Sequence, residues 1–256
     1  MTDASRYSRQ IQTPQIQAEG QKKLENSSVA VIGCGGLGGP VLTYLALAGV
    51  GKIRLIDYDT VAVSNLNRQF LYEETQIGKQ KSVCAGRFLE RRNSSIKLEW
   101  KVEKLTEDNA EELLKDMDVI VDCVDDISIR KLVNRTCVKF QIPLVEGGIH
   151  GFYGYVMPVR PGQSACLECA GYAMQKKEET VPALGAVAGV IGSLQAVECL
   201  KILLHQGEVH YGSLLQYDGL CSELTEIPVR IREDCFCQTF LGLQQAVSLS
   251  NKIFTV

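Results

Sequence analysis

The sequence predicts an α/β fold: a doubly wound, mostly parallel sheet covered by helices, continuing into antiparallel strands. Three observations predict it. Short apolar runs alternate with longer segments of helical period, which is the pattern of a parallel sheet covered on both faces. A glycine cluster joins the first apolar run to the first long helical segment. After Pro143 the texture changes to closely spaced glycines and a β-rich YGYVMPVRP stretch, which predicts strands turning back antiparallel. At 256 residues and 45% hydrophobic, the chain is long enough to bury a full core.

A helical arm over about residues 1–27 leads into the first strand, Ser28 to Ile32, a short continuous apolar run. Further strands read Ile53 to Ile56, Leu98 to Val102, Val119 to Cys123 and Leu144 to Val145. Helices are predicted between them at Leu37 to Ala48, Lys81 to Arg91, Asn109 to Lys115 and Ile129 to Phe140. Gly147, Gly148, Gly151 and Gly154 crowd the hairpin region. Gly185 to Leu204 is the longest apolar segment, but Gln195, Glu198 and Lys201 interrupt it at helical spacing, so a buried amphipathic helix is expected, not a membrane span. One domain over 1–238 is expected, with 239–256 a motif-free appendage.

The chain carries 27 basic and 30 acidic residues, a formal net charge of −3, so no global basic field favours nucleic acid or anionic lipid. The N-terminal MTDASRYSRQIQ lacks the apolar core of a secretory signal, which gives the expectation of a cytoplasmic protein. Ten cysteines then read as reduced thiols or metal ligands. Cys34, Cys84, Cys123, Cys137, Cys199 and Cys221 read as plain core or helix residues.

Gly33, Gly35, Gly36 and Gly38 follow a strand and open a helix, so backbone amides and a helix N-terminus are available to phosphate oxygens. Asp57 ends the next strand, where a Rossmann-like fold places an acidic residue against ribose hydroxyls. This fingerprint alone is shared with NAD-dependent oxidoreductases. The segment after Asp57 separates the two readings, because Asp59 leads into Asn65, Arg68, Gln69 and Lys81, which add cations and polar donors that a hydride-transfer site does not require. No GxxxxGK[ST] is present, which excludes a P-loop. His150, His205 and His210 are isolated and read as structural, so no His-centred catalytic group is in view.

In this order the motifs resemble the ThiF/MoeB/HesA family, which includes molybdopterin-synthase and thiamine-biosynthesis adenylyltransferases and the adenylation domains of ubiquitin-activating enzymes. The resemblance runs from Arg6-Tyr7-Ser8-Arg9 through GCGGLGG, DYDTVAVSNLNRQ and DCVDD to CLEC, GVIGSLQAVE and the late cysteines. It implies ATP-dependent adenylation of the C-terminal glycine carboxylate of a small ubiquitin-like carrier ending in Gly-Gly, with a separate sulfur donor or sulfurtransferase acting afterwards. By the same resemblance Asp57 holds ribose, Asn65, Arg68, Gln69 and Lys81 line the triphosphate, and Asp125 organises Mg2+. Arg9 is implied to act across a homodimer. A non-catalytic scaffold of this fold is the other alternative, and it is expected to lose these nucleotide-binding residues.

Cys166 and Cys169 form a CxxC that Cys235 and Cys237 could complete into a closed four-thiolate zinc site of structural type. The family closes this site with a second CxxC, whereas the late pair here is Cys235-Phe236-Cys237. Asp126 stands where the family has Asn, and its role is left open. Gly171 to Pro182, rich in Lys and Glu, reads as a crossover loop over the carrier tail. No cysteine lies between Cys169 and Cys199, so the reaction is expected to stop at the acyl-adenylate.

Overall fold

The computed structural model describes residues 3–171 and 181–241. The expected crossover loop falls mostly outside these residues, as does the appendage from residue 242 onward. The N-terminal arm forms three short helices, α1 (Asp3–Arg6), α2 (Ser8–Ile11) and α3 (Gln17–Glu25). Five parallel strands come next: β1 (Ser28–Ile32), β2 (Lys52–Ile56), β3 (Lys97–Lys101), β4 (Val119–Asp122) and β5 (Leu144–His150). Helices α4 (Gly38–Ala48), α5 (Lys81–Glu90), α6 (Ala110–Leu114) and α7 (Ile127–Phe140) connect them. Then come β6 (Tyr153–Val159), α8 (Gly185–Leu204), β7 (Ser213–Asp218) and β8 (Glu223–Pro228).

One sheet holds all eight strands in the order β3-β2-β1-β4-β5-β6-β7-β8. The first five are parallel, and β6, β7 and β8 are antiparallel. Strand order reverses between β1 and β4, and in such sheets the crevice beyond the carboxyl ends of those two strands is where ligands bind.

The expected apolar strands are apolar because both faces are covered. Val29 and Val31 of β1 join the core beneath α4, α5 and α8, while the intervening Ala30 and Ile32 join the core beneath α6 and α7. In β4, Val119 and Val121 take the first side and Ile120 the second. Helix α4 stops at Gly49, whose φ of 84° is the left-handed C-terminal geometry a glycine adopts without strain. An added Cβ there would lie 2.6 Å from the Tyr7 ring, so the same glycine lets the N-terminal arm dock.

Helix α8 is the one helix among the described residues long and apolar enough to cross a bilayer, yet 61% of its apolar 18-residue window is buried inside the protein. It lies against α4, where a Cβ on Gly192 would be 2.5 Å from Pro40. It also lies on the sheet, where Gln195 is fully buried and its Nε2 donates to the Asp122 carbonyl at 2.8 Å. The expectation of a buried helix holds.

Three differences from the sequence reading have physical reasons. β5 runs on to His150, because its second half pairs antiparallel with β6 through a turn at Gly151 (φ 60°). β8 is exposed along its whole length, so its ELTEIP sequence carries no core pattern. Cys221, expected among the core or helix thiols, is exposed: it occupies the turn at 219–222 between β7 and β8.

Candidate active site and metal centre

The glycine loop leaves β1 at its carboxyl end and enters α4 in a turn too tight for side chains. Gly33 has φ 90°, and a Cβ on it would be 2.9 Å from the Cys123 carbonyl at the end of β4. A Cβ on Gly38 would lie 2.0 Å from the Gly33 carbonyl oxygen. Between them, Cys34 is held on both sides of its backbone. Its N–H donates to Asp57 Oδ2 at 2.7 Å, and its carbonyl accepts from the buried Tyr72 hydroxyl at 2.6 Å. Asp57 Oδ1 accepts from Asp59 N–H at 2.8 Å, and the Ser82 hydroxyl donates to the Asp57 carbonyl at 3.0 Å. Burial raises the Asp57 pKa, an effect opposed by the Cys34 amide and by Lys81.

The next wall is the segment after β2. Asn65 Oδ1 accepts from Ala62 N–H at 3.0 Å, which holds a short 3-10 turn. Arg68 Nη1 donates to the Ser64 carbonyl and to Asn67 Oδ1 at 2.7 and 2.9 Å. Gln69 is buried over Gly35, where a Cβ would be 3.5 Å from its Nε2, and its Oε1 is buried with no hydrogen-bond partner. Lys81, at the start of α5 and only 6% exposed, pairs with Asp59 at 3.0 Å. The amino end of α8 closes this wall: a Cβ on Gly185 would be 2.8 Å from the Asn67 carbonyl, and Ala188 lies against Gly36.

The third wall is the turn after β4. Asp125 is exposed, and its carboxylate accepts no hydrogen bond within the described residues. The capping carboxylate is its neighbour. Asp126 is the N-cap of α7 and accepts from Ser128 N–H at 2.8 Å and Ser128 Oγ at 2.7 Å. Beneath this turn lies a buried ionic cluster of Asp122, Arg130, Glu146 and Tyr155. Asp122 and Glu146 are fully buried, and burial raises both carboxyls; the Asp122 charge raises Glu146 further, while Arg130, Glu146 and the Val124 N–H hold Asp122 down.

A model of the ThiF family matches residues 7–239. The chain belongs to the ThiF family. It is 40% identical over 241 residues to "Adenylyltransferase and sulfurtransferase MOCS3" of Xenopus laevis, covering 91% of this chain and 53% of that protein. The protein of the same name from Dictyostelium discoideum is 40% identical, with 89% and 55% covered. The chain therefore spans about half the length of these curated relatives. Among solved structures, Escherichia coli MccB with ATP superposes with a TM-score of 0.81 at 27% identity, covering 92% of this chain and 74% of that one. MccB with MccA-N7isoASN gives 0.79 at 25% identity, covering 91% and 74%.

In this ThiF-family chain the four late cysteines converge, all buried, with their Sγ atoms within 4.8 Å of one another. The pairs Cys166–Cys235 and Cys169–Cys237 are each 3.5 Å apart, and Cys166–Cys169 is 3.9 Å apart. Thiolates about 2.3 Å from a tetrahedral zinc would be about 3.8 Å from one another, so a cluster of this size is compatible with the ion. Helix α7 supports the CxxC loop: Asn134 Oδ1 accepts from Leu167 N–H at 3.1 Å, and Arg135 forks onto Glu168 at 2.8 and 2.9 Å. Burial pushes the Cys166 thiol up to about 12. An ion would take the place of such protons.

Arg9 lies on the exposed side of the arm. Its neighbour Gln10 donates to the Ala48 carbonyl at 2.9 Å, at the far end of α4 from the glycine loop. The eleven-residue α4 rises about 15 Å from Gly38 to Ala48, so Arg9 stands well away from its own chain's site. Sequence reasoning missed Tyr72, Arg130, Glu146 and the α8 terminus. Each lies outside the phosphate-facing motifs and acts on their backbone or walls.

Proposed function

We propose that the chain is an ATP-dependent adenylyltransferase acting on the C-terminal glycine carboxylate of a small ubiquitin-like sulfur carrier that ends in Gly-Gly. One observation carries this reading: Arg68 lies against Gly36, Lys81 pairs with Asp59 and Asp125 follows Val124, which lies against Gly33, with no His-centred acid-base group among them. Relatives named as adenylyltransferase and sulfurtransferase support it, as does the likeness to MccB with ATP.

A carboxylate is already ionised at neutral pH, so adenylation needs no general base. One of its oxygens attacks the α-phosphorus in line, the bond to pyrophosphate breaks, and acyl-adenylate and pyrophosphate result. The loop amides of Gly33 to Gly38 hold phosphate oxygens, and Asp57 takes the ribose hydroxyls with the lone pairs its two amide bonds leave free. Asn65, Gln69 and Arg68 line the triphosphate, and Lys81 exchanges Asp59 for phosphate, neutralising the charge on the departing group. Asp125, exposed and without a hydrogen bond within the described residues, suits the oxygen-only preference of Mg2+ and would hold it, with Asp59 and Asp126 adding negative charge nearby. Bound Mg2+ supplies charge neutralisation to the phosphates. Cys166, Cys169, Cys235 and Cys237 would hold a structural Zn2+.

Two copies form a homodimer in which Arg9 enters the partner's site. The distance of Arg9 from its own glycine loop supports this, as do the exposed apolar Tyr44 and Leu47 of α4 and Val190 and Val197 of α8. The acyl-adenylate then passes to a sulfur donor or sulfurtransferase, in the cytoplasm.

The test is ATP–pyrophosphate exchange with purified carriers ending in Gly-Gly, and with a free peptide carboxylate as the comparison. Exchange that requires a carrier and is lost in Arg68→Ala and Asp125→Ala is the expected result. Exchange with the peptide alone reassigns the substrate, and none with any acceptor refutes the adenylation reading.

A further inference from the structure

The turn that carries Asp125 is fixed from below. Val124 precedes it, and both polar atoms of the Val124 backbone are taken by buried side chains. Its N–H donates to Asp122 Oδ1 at 3.0 Å, and its carbonyl accepts two bonds from one guanidinium, Arg130 Nε at 3.0 Å and Nη2 at 2.6 Å. The third nitrogen of Arg130, Nη1, donates to Glu146 Oε1 and to the Tyr155 hydroxyl, both at 2.6 Å. Arg130 therefore has all three nitrogens committed, two to the turn and one to the sheet strands β5 and β6. Its planar fork cannot rotate without breaking contact with one or the other.

We infer that Arg130, braced by Glu146 and Tyr155 and opposed by Asp122, is a positioning residue that fixes the Val124 peptide and so the direction in which the Asp125 carboxylate leaves the turn. The inference rests on the adenylation reading only for what Asp125 holds, a divalent cation bound with ATP. Asp125 has no hydrogen-bond partner of its own within the described residues, so its aim depends on the backbone behind it. A core function alone would need no fork on the carbonyl that precedes Asp125, since Glu146 could be neutralised by any buried cation.

The test measures cation binding and not turnover. Mn2+ is titrated, by the electron paramagnetic resonance of the free ion, into the full chain saturated with ATP, with no carrier present. Arg130→Lys keeps the charge beside Glu146 but loses the fork, and is expected to weaken Mn2+ by about tenfold or more, the usual effect of removing a group that orients a ligand. Metal-free ATP binding, which depends on the glycine loop, should stay within about twofold of the wild type. Arg135→Lys, about one and a half turns on along α7 and directed at Glu168, should leave Mn2+ affinity unchanged. Should Arg130→Lys fail to fold, Tyr155→Phe decides, because it removes one brace and keeps every charge; about threefold weaker Mn2+ is expected. Equal losses in the Arg130 and Arg135 variants would show that only helix integrity matters and would overturn the inference. So would unaltered Mn2+ affinity in Arg130→Lys, or in Tyr155→Phe where that variant decides. Wild-type chain that binds Mn2+ with ATP but catalyses no exchange refutes the adenylation reading while leaving the variant comparison decisive for Arg130.

Discussion

Replacing Tyr72 by Phe removes a single oxygen from the protein and leaves the ring in place. That oxygen donates to the Cys34 carbonyl at 2.6 Å, and Tyr72 is only 6% exposed, so water cannot readily take its place. Leaving a buried carbonyl unsatisfied costs about 1–3 kcal/mol. For a chain of this size 1 kcal/mol corresponds to about 2–4 °C in melting temperature, so a fall of about 3–10 °C is expected. The effect should also reach the ligand. Cys34 lies inside the glycine loop, with its N–H held by Asp57, and losing one of two restraints loosens the amides that face phosphate. Scanning calorimetry and ATP titration calorimetry on the two proteins measure both quantities, with ATP binding expected to weaken several-fold, roughly 1 kcal/mol. A melting temperature within about 1 °C of wild type together with unchanged ATP affinity would refute the claim that this hydroxyl restrains the loop.

Gly38→Ala places a methyl 2.0 Å from the Gly33 oxygen, so the loop must open; ATP should no longer raise the melting temperature, whereas a normal ATP-induced shift would contradict the geometry. Burial raises the Asp122 and Glu146 carboxyls above the range of about 4 in which the unfolded chain releases their protons, so stability should decline as pH rises from that range toward the folded values. Asp122→Asn carries a neutral group permanently, and denaturant titrations from pH 5 to about 9 should show a flatter decline than in the wild type. Glu99 has the opposite sign: partial burial would raise it, but Lys97 and Arg54 bond to it and lower it from 4.5 to about 2. Its contribution should be complete above pH 4.5 and lost toward pH 2, a trend that Glu99→Gln removes from an acid titration. With the four cysteines as the zinc site proposed above, Cys237→Ser should lower zinc content in elemental analysis and free the segment after β8, read as new proteolysis near Arg232; full zinc occupancy in that variant would exclude Cys237 as a ligand.

The sheet's parallel half was legible because each of its central strands is covered on both sides, which leaves continuous apolar runs such as Val29 to Ile32. The half beyond β5 was less so. Glycines at 147, 148 and 154 serve close packing against Gln195, Tyr155 and Ile191, and β8 is exposed throughout, so neither an alternating nor a continuous pattern survives. At the site, the motif residues themselves were readable from spacing, including the glycines, Asp57 and the four cysteines. What held them was not. Arg130 meets Glu146 and Tyr155 only because β4, β5 and β6 are neighbours, and the start of α8 reaches Arg68 only through tertiary packing. Asp126 belongs to both classes: an aspartate before a helix is a recognisable cap, but the choice between it and Asp125 depends on where α7 begins.

Cys34 follows β1 and Val124 follows β4, and each has its amide and its carbonyl tied down by side chains rooted in the core. The entropy of ordering these two turns is therefore lost once, when the chain folds, and not again at every cycle of ligand capture. Nucleotide should meet a cradle already in its working shape, with little backbone movement on arrival. The corollary is evolutionary: drift among groups that never touch ligand will surface as changes in rate.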